Sequence, residues 1–281
     1  MTSGLDVASG DGTDISELSD ALGNRELAHR LAGKRLAVFL DYDGTLTPIV
    51  DRPEDAIISA DMREVVRALA GRCQVCIVSG RDLAVLQELM GLDDVIMAAS
   101  HGFDIWTPQR GAVEHHAAKE FGELLSLVRT RLSEHVSTID GTHIESKSAS
   151  VAVHFRLVWE SDRHRVREVV DALVGEHPNE LKVMPGKMVY EIQPNVDWDK
   201  GKAVLHLLDV LGLEGDDVMP LYFGDDVTDE DAFAALAGRG IGIFVGCADD
   251  PEVARRRTAA SYVLASTQEV QQFLDTLARG S

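Results

Sequence analysis

Phe39-Leu40-Asp41-Tyr42-Asp43-Gly44-Thr45-Leu46-Thr47 is the stretch on which the reading of this chain turns. It closes the apolar run Arg35-Leu-Ala-Val-Phe-Leu40, long enough for a strand and too short for a helix. A strand that reads as unbroken apolar sequence is covered on both faces, as in a parallel sheet flanked by helices. The run ends in two carboxylates two residues apart, and open α/β sheets bind ligands at the carboxyl ends of their strands. Gly44 and Thr45 add backbone amides able to hold an oxyanion. An Asp-Gly turn with a helix cap would account for these nine residues taken alone, so the rest of the chain must decide.

The same alternation recurs on both sides of the motif. Val75–Val78 and Val95–Ala99 are short apolar runs, with helical spacings between them at Met62, Val65, Val66 and Leu69 and at Leu83, Leu86, Leu89 and Met90. Later, Ala203–Leu211 reads as helix, Met219–Phe223 as strand, Asp229–Leu236 as helix, and Ile241–Val245 and Ser261–Leu264 as strands before a last helix. This pattern predicts an α/β fold with a doubly wound, Rossmann-like parallel sheet.

The middle of the chain breaks the pattern. A helix over Ala117–His135 precedes strands over Thr142–Lys147 and Val151–Val158, joined by a Ser148-Ala-Ser150 turn. A second helix, Ser161–Val174, precedes a hairpin of Lys182–Met184 and Met188–Ile192 turning at Pro185-Gly186. This predicts a smaller inserted α/β cap with an antiparallel sheet. The expected division is a leader over 1–34, a core over 35–110 and 194–281, and a cap over 111–193. In the leader, Met1–Thr13 is rich in Gly, Ser and Asp and is expected to be disordered, and Asp14–Leu31 carries a weak helical spacing.

Composition narrows the function classes. The 281 residues suggest about two domains. Acidic residues number 47 against 27 basic, a net charge of −20, which disfavours nucleic acid and anionic membranes as partners. No apolar run approaches the roughly 20 residues of a membrane span. The N-terminus lacks the basic-then-apolar pattern of a secretory signal, and three cysteines, an odd number, point to a reduced cytoplasm. A monomer is favoured.

Three further segments carry chemistry. Tyr222-Phe-Gly224-Asp225-Asp226-Val-Thr228-Asp229-Glu230-Asp231 again ends a strand in acids, five within seven residues. Such a loop calls for a hard cation; the plain alternative is that Thr228 or Asp229 caps the next helix and the rest is solvated, a role expected above all of Glu230 and Asp231. Ser79-Gly80-Arg81 offers a hydroxyl and helix-opening amides suited to phosphate, a weak signal alone. Asp197-Trp-Asp199-Lys200-Gly201-Lys202 places a lysine at the return to the parallel sheet, where an ordinary surface charge is the plain alternative. Cys73-x-x-Cys76 lies in and beside an apolar strand, the wrong context for a redox pair.

Together the four segments resemble the haloacid dehalogenase-type phosphatases. Ile144-Glu145-Ser-Lys147-Ser-Ala-Ser-Val-Ala-Val-His154-Phe-Arg156, Gly186-Lys187-Met-Val-Tyr-Glu191-Ile-Gln-Pro194 and Ser100-His101-Gly102 are similar to motifs of the trehalose-6-phosphate phosphatase family. The resemblance spans about residues 36 to 265. It implies Mg²⁺-dependent hydrolysis of a small-molecule sugar phosphate through an aspartyl-phosphate. Asp41 is then the nucleophile, Asp43 the general acid and base, and Lys200 and Ser79 hold the transferring oxygens. Asp229 would orient Lys200 or a metal-bound water. Metal ligands would be Asp41, the backbone carbonyl of Asp43, and Asp225. Substrate contacts would come from Gly80, Arg81, His101, Gly102, Glu145, Lys147, His154, Arg156, Lys187 and Glu191.

Alternation independently puts Lys187, Val189 and Glu191 on one strand face, pairs Glu145 with Lys147, and pairs His154 with Arg156. Such a charged face suits a polyhydroxylated sugar, or equally a solvated surface with ion pairs worth under about 1 kcal/mol each; the resemblance favours the sugar. Rival functions are a phosphatase for another disaccharide phosphate, a phosphomutase, and a non-enzymatic phospho-acceptor or sugar-phosphate-binding module.

Overall fold

The structure is a computed structural model that describes residues 12–50, 52–108, 111–114, 121–186, 188–248, 250, 253 and 256–280. Its strands are β1 (Thr13–Asp14), β2 (Ser19–Asp20), β3 (Arg35–Leu40), β4 (Gln74–Val78), β5 (Ile96–Ala99), β6 (Asp104–Thr107), β7 (Gly111–Glu114), β8 (His143–Ser146), β9 (Val151–His154), β10 (Leu181–Gly186), β11 (Val189–Pro194), β12 (Val218–Gly224), β13 (Ile241–Val245), β14 (Arg257–Thr258) and β15 (Tyr262–Leu264). The α-helices are α1 (Arg25–Leu31), α2 (Ala60–Ala70), α3 (Leu83–Met90), α4 (Gly122–Val136), α5 (Arg163–Gly175), α6 (Lys200–Val210), α7 (Glu230–Ala235) and α8 (Thr267–Arg279).

The chain divides into two compact units. One comprises Met1–Ser79, Gln87–Ile96 and Asp199–Ser281; the other comprises Gly80–Leu86 and Met97–Trp198. The sequence pattern puts the inserted segment at 111–193, whereas the second unit takes in the stretch from Met97 and a piece of α3 as well.

The first unit holds the parallel strands β2-β15-β13-β12-β3-β4, in that order. Ala37 to Leu40 of β3 and Leu221 to Phe223 of β12 are wholly buried, which is why both read as continuous apolar runs. Helices start where small polar side chains cap them: Ser59 accepts from Met62 N, Asp199 from Lys202 N, and Ser266 from Glu269 N. In α2, Met62, Val66 and Leu69 are buried, the helical stripe seen in the sequence. The chain leaves β3 toward β4 and leaves β12 toward β13, on opposite sides, so the strand order reverses between β3 and β12. That reversal makes the crevice in which such sheets bind ligands.

The second unit contains an antiparallel sheet of order β10-β11-β9-β8. Val151, Val153, Leu181 and Ile192 pack with Leu125, Val128 and Leu132 of α4 and Val166 and Val170 of α5. The alternate positions, among them Glu145 and Glu191, fall on the other face. The unit also contains an antiparallel meander of β5, β6 and β7.

Two expectations need correction, and a third falls almost wholly outside the described residues. Asp14–Leu31 is not one helix: Asp14 caps a single 3-10 turn, Ser19–Asp20 pairs with β15, and Asn24 caps the shorter α1. Of the residues expected to be disordered, 1–11 lie outside the described residues, and Thr13–Asp14 pair with β14. The strand expected to reach Val158 stops at His154, where the Val158 amide donates back to Phe155 and closes a turn. The β6–β7 hairpin has no counterpart among the elements expected from sequence.

Candidate active site

β3 delivers Asp41 to the crevice. The Asp41 amide donates to the Phe223 carbonyl of β12 at 2.9 Å, extending the ladder one residue past the strand. The chain then folds on itself, with Gly44 N donating to Thr47 O at 2.8 Å and Asp43 bridged to Thr47. Gly44 has φ +82°, and a Cβ there would lie 2.1 Å from Asp225 Oδ2. Only glycine admits that left-handed turn with a carboxylate so close.

Lys200, the first residue of α6, reaches the same place. Its Nζ donates to Asp41 Oδ1 at 2.8 Å and to Asp229 Oδ1 at 2.6 Å. All three side chains are buried. Asp229 is the hub of the acidic loop, accepting also from the Tyr222 hydroxyl at 2.6 Å and from the amides of Asp225 and Asp226 at 3.0 and 2.9 Å. Neither Glu230 nor Asp231 caps the following helix. Asp226 caps the 3-10 turn Val227–Asp229 in a reciprocal capping box with Asp229, Asp229 stands at the N-cap of α7 without a side-chain cap bond, and Glu230 accepts from Thr258 and Ala259.

The electrostatics follow from burial. Desolvation raises the Asp41 pKa, opposed by the Lys200 ammonium and reinforced by Asp229 and Asp225. Burial alone would lower the Lys200 pKa, but Asp229 and Asp41 outweigh it and hold the ammonium charged. Burial and the neighbouring Asp229 and Asp226 push Asp225 up to about 7. Burial and the nearby carboxylates, Asp229 first, keep the Tyr222 phenol protonated.

Asp41, Asp225 and Asp229 each offer a carboxylate oxygen within 4.8 Å of the others. Asp225 Oδ1 is buried and has no hydrogen-bond partner among the described residues. A buried anionic oxygen left in that state calls for a cation, and an all-oxygen set suits a hard divalent one. The residues therefore fit a divalent metal.

Ser79 is buried at the end of β4. In the second unit, a Cβ on Gly80 would meet the His101 ring at 2.7 Å, so the imidazole lies directly against that backbone. The Ser100 amide donates to the Arg81 carbonyl at 2.8 Å. Ser100, His101 and Gly102 all have positive φ, of 49°, 57° and 91°, the left-handed region that residues with side chains such as Ser100 and His101 rarely adopt.

On the face of the four-stranded sheet away from α4 and α5, Lys147 Nζ lies 3.3 Å from both oxygens of Glu191, and His154 Nε2 lies 2.8 Å from Glu145 Oε2. The His154 contact, against the opposing effect of burial, holds the Glu145 carboxyl below its usual pKa. Arg156 does not join these pairs; it lies exposed in the turn after β9. Lys187 lies outside the described residues.

Several residues escape sequence reasoning. Ser150 donates to Glu191, Tyr222 anchors Asp229, and Arg256 donates to the Asp225 carbonyl at 2.9 Å. Tyr222 alone carries a signal: a phenol in an otherwise apolar buried strand needs a partner.

The comparisons with known proteins bear on this arrangement. Residues 39–268 match the family model described as Trehalose-phosphatase. The chain is 41% identical over 261 residues to the trehalose 6-phosphate phosphatase RA3 of Zea mays, covering 88% of this chain and 70% of that one. It is 39% identical over 267 residues to a trehalose-phosphate phosphatase of Mycobacterium tuberculosis, covering 94% and 67%. Among solved structures, the Aspergillus fumigatus trehalose-6-phosphate phosphatase superposes with a TM-score of 0.67 at 29% identity, covering 94% of this chain and 100% of that one.

Proposed function

This chain belongs to the trehalose-phosphatase family, and we propose that it hydrolyses trehalose 6-phosphate to trehalose and phosphate with Mg²⁺ as cofactor. The observation that carries the reading is the buried Asp41–Lys200–Asp229 contact at the strand-order reversal, with the Asp225 carboxylate beside it.

Asp41 attacks phosphorus in line, the bond to the sugar oxygen breaks, and an aspartyl-phosphate forms. Lys200, bonded to Asp41 Oδ1, aims the carboxylate and offsets part of the cost of its charge. Asp43 gives the leaving sugar oxygen its proton and later takes one from the water that cleaves the acyl phosphate. Lys200 and Ser79 hold the transferring oxygens. Asp229 fixes the Lys200 ammonium. Asp41, Asp225 and the backbone carbonyl of Asp43 would hold the Mg²⁺, which supplies positive charge to neutralise the phosphoryl oxygens. With a net charge of −20, the protein needs those local cations to receive an anionic substrate.

The sugar's hydroxyls fall to the second unit, where Glu145, Lys147, His154 and Glu191 offer paired acceptors and donors, with Gly80, Arg81, His101 and Gly102 as further contacts. Arg156 and Lys187 belong to the same proposal on the strength of the family motif. The three free cysteines fit a cytoplasmic setting. Among the described residues no helix is long and apolar enough to cross a membrane.

Phosphate release from a panel of trehalose 6-phosphate, sucrose 6-phosphate, glucose 6-phosphate and p-nitrophenyl phosphate tests the reading. The expected result is the highest kcat/KM on trehalose 6-phosphate. A higher value on another sugar phosphate would reassign the substrate, and no release from any would remove the enzyme.

A further inference from the structure

We propose that the Ser150 hydroxyl is a positioning group for sugar recognition. It fixes the Glu191 carboxylate in one orientation and so sets the preference for a disaccharide phosphate over a simple phosphate ester. The inference rests on the reading of Glu191 as a sugar contact.

Ser150 precedes β9 and is only 4% exposed. Its hydroxyl donates to Glu191 Oε1 at 2.6 Å across 41 residues of chain. Its neighbours Ala149, Val151, Ala152 and Val153 are all buried and apolar. A buried hydroxyl must be bonded, and here the bond it makes is to a charged acceptor, the stronger kind.

Lys147 neutralises Glu191 but does not orient it. An ammonium on a flexible stem is a point charge, and its two equal distances of 3.3 Å show it facing the carboxylate as a whole. The shorter Ser150 bond singles out Oε1. An ionised carboxylate has about four acceptor positions. Ser150 takes one on Oε1 and Lys147 faces one on each oxygen. Among the described residues, no other donor takes the remaining position on Oε2, which is open to a sugar hydroxyl.

The register supplies the second half of the device. Glu191 pairs with Ala152, and Ala152 pairs with Glu145 on its other side. Glu145 is held by a different partner, His154. Two separately fixed carboxylates thus flank one methyl group on the same sheet face, a spacing suited to two hydroxyls of one ligand. Recognition by fixed polar groups rejects ligands lacking the matching hydroxyl far more strongly than apolar fit does.

The test compares kcat and KM on trehalose 6-phosphate and on p-nitrophenyl phosphate for the wild type, Ser150→Ala, Ser150→Thr, Glu191→Gln and the Ser150→Ala/Glu191→Gln double variant. Ser150→Ala is expected to lower kcat/KM on trehalose 6-phosphate by about tenfold or more, the size of one lost charged hydrogen bond. The loss should lie in KM, with kcat and the aryl phosphate nearly unmoved. Ser150→Thr, which keeps the hydroxyl, should recover most of it. The double variant should fall no further than Glu191→Gln alone. An unchanged Ser150→Ala, equal losses on both substrates, or additive losses in the double variant would each overturn the role of Ser150. If Glu191→Gln leaves the selectivity intact, the assignment of Glu191 falls first and Ser150 with it. A selectivity loss in Glu191→Gln without one in Ser150→Ala removes Ser150 alone.

Discussion

The Lys200 ammonium lies 2.8 Å from Asp41 Oδ1 with both side chains almost sealed from water. It is also bonded to Asp229, so one cation offsets two buried carboxylates. Breaking a buried pair by deleting one partner leaves uncompensated charge and costs about 3–5 kcal/mol. Lys200→Met should therefore abolish turnover and also lower the urea unfolding free energy of the metal-free protein by that order. Adding Asp229→Asn to Lys200→Met should recover part of the stability and none of the activity. A Lys200→Met protein as stable as wild type would show that the carboxylates are not charged together in the folded state.

Asp41 and Asp43 should separate kinetically. Asp41→Asn keeps the shape but not the nucleophile, so phosphate release should vanish on every substrate while the circular dichroism is unchanged. Asp43→Asn should lose roughly 10²- to 10⁴-fold on trehalose 6-phosphate, the range for an acid–base group. The loss should be smaller on p-nitrophenyl phosphate, whose leaving group departs without a proton. Equal losses on the two substrates would argue against the acid role of Asp43.

Stability of the metal-free protein should fall as pH rises from about 4 to 7. The Asp225 carboxyl, pushed up to about 7 by burial and by Asp229 and Asp226, binds a proton in the folded state over a range where the unfolded chain has released it. Its contribution is complete below the ordinary carboxylate pKa and is lost as pH passes through the folded value. Mg²⁺ needs the ionised form, so its affinity should climb over the same interval. Urea midpoints at pH 5 and pH 8, with and without Mg²⁺, measure both effects. Asp225→Asn should flatten the metal-free slope, and a slope that stays the same would locate the proton elsewhere.

How much of this is legible in the sequence tracks how local the cause is. β3 and the Asp41 motif are legible because burial on both faces writes itself as consecutive apolar residues, and because a strand end is a local event. The Lys200–Asp229 and Ser150–Glu191 bonds join residues 29 and 41 positions apart, and no spacing rule relates them. The leader misleads for a different reason. Ile15, Leu18, Leu22, Leu27 and Leu31 mimic a helical stripe, but Asp14, Asp20 and Asn24 each bond to nearby amides and divide the segment into short pieces. In the acidic loop, composition announces a cation site and a helix cap, yet gives no means of telling that Asp226 caps a 3-10 turn before the helix while Glu230 ties the helix start to Thr258.

Gly44 offers the sharpest test of the metal site, because two effects of one substitution can be separated. Gly44→Ala places a side chain at φ +82°, a left-handed penalty of about 1–2 kcal/mol. It also sets a Cβ 2.1 Å from Asp225 Oδ2, so the loop or the carboxylate must move. Gly212, just past α6, has φ +64°, and a Cβ there would meet nothing within 4 Å, so Gly212→Ala bears the first effect without the second. Gly212→Ala should lose only the left-handed penalty, and Gly44→Ala at least as much stability. Only Gly44→Ala should weaken divalent-cation binding, read directly by Mn²⁺ electron paramagnetic resonance on the protein without substrate, and lose phosphatase activity in step. If Gly44→Ala binds Mn²⁺ as tightly as Gly212→Ala does, the displaced Asp225 carboxylate is not a ligand, and the cation would have to be held without it.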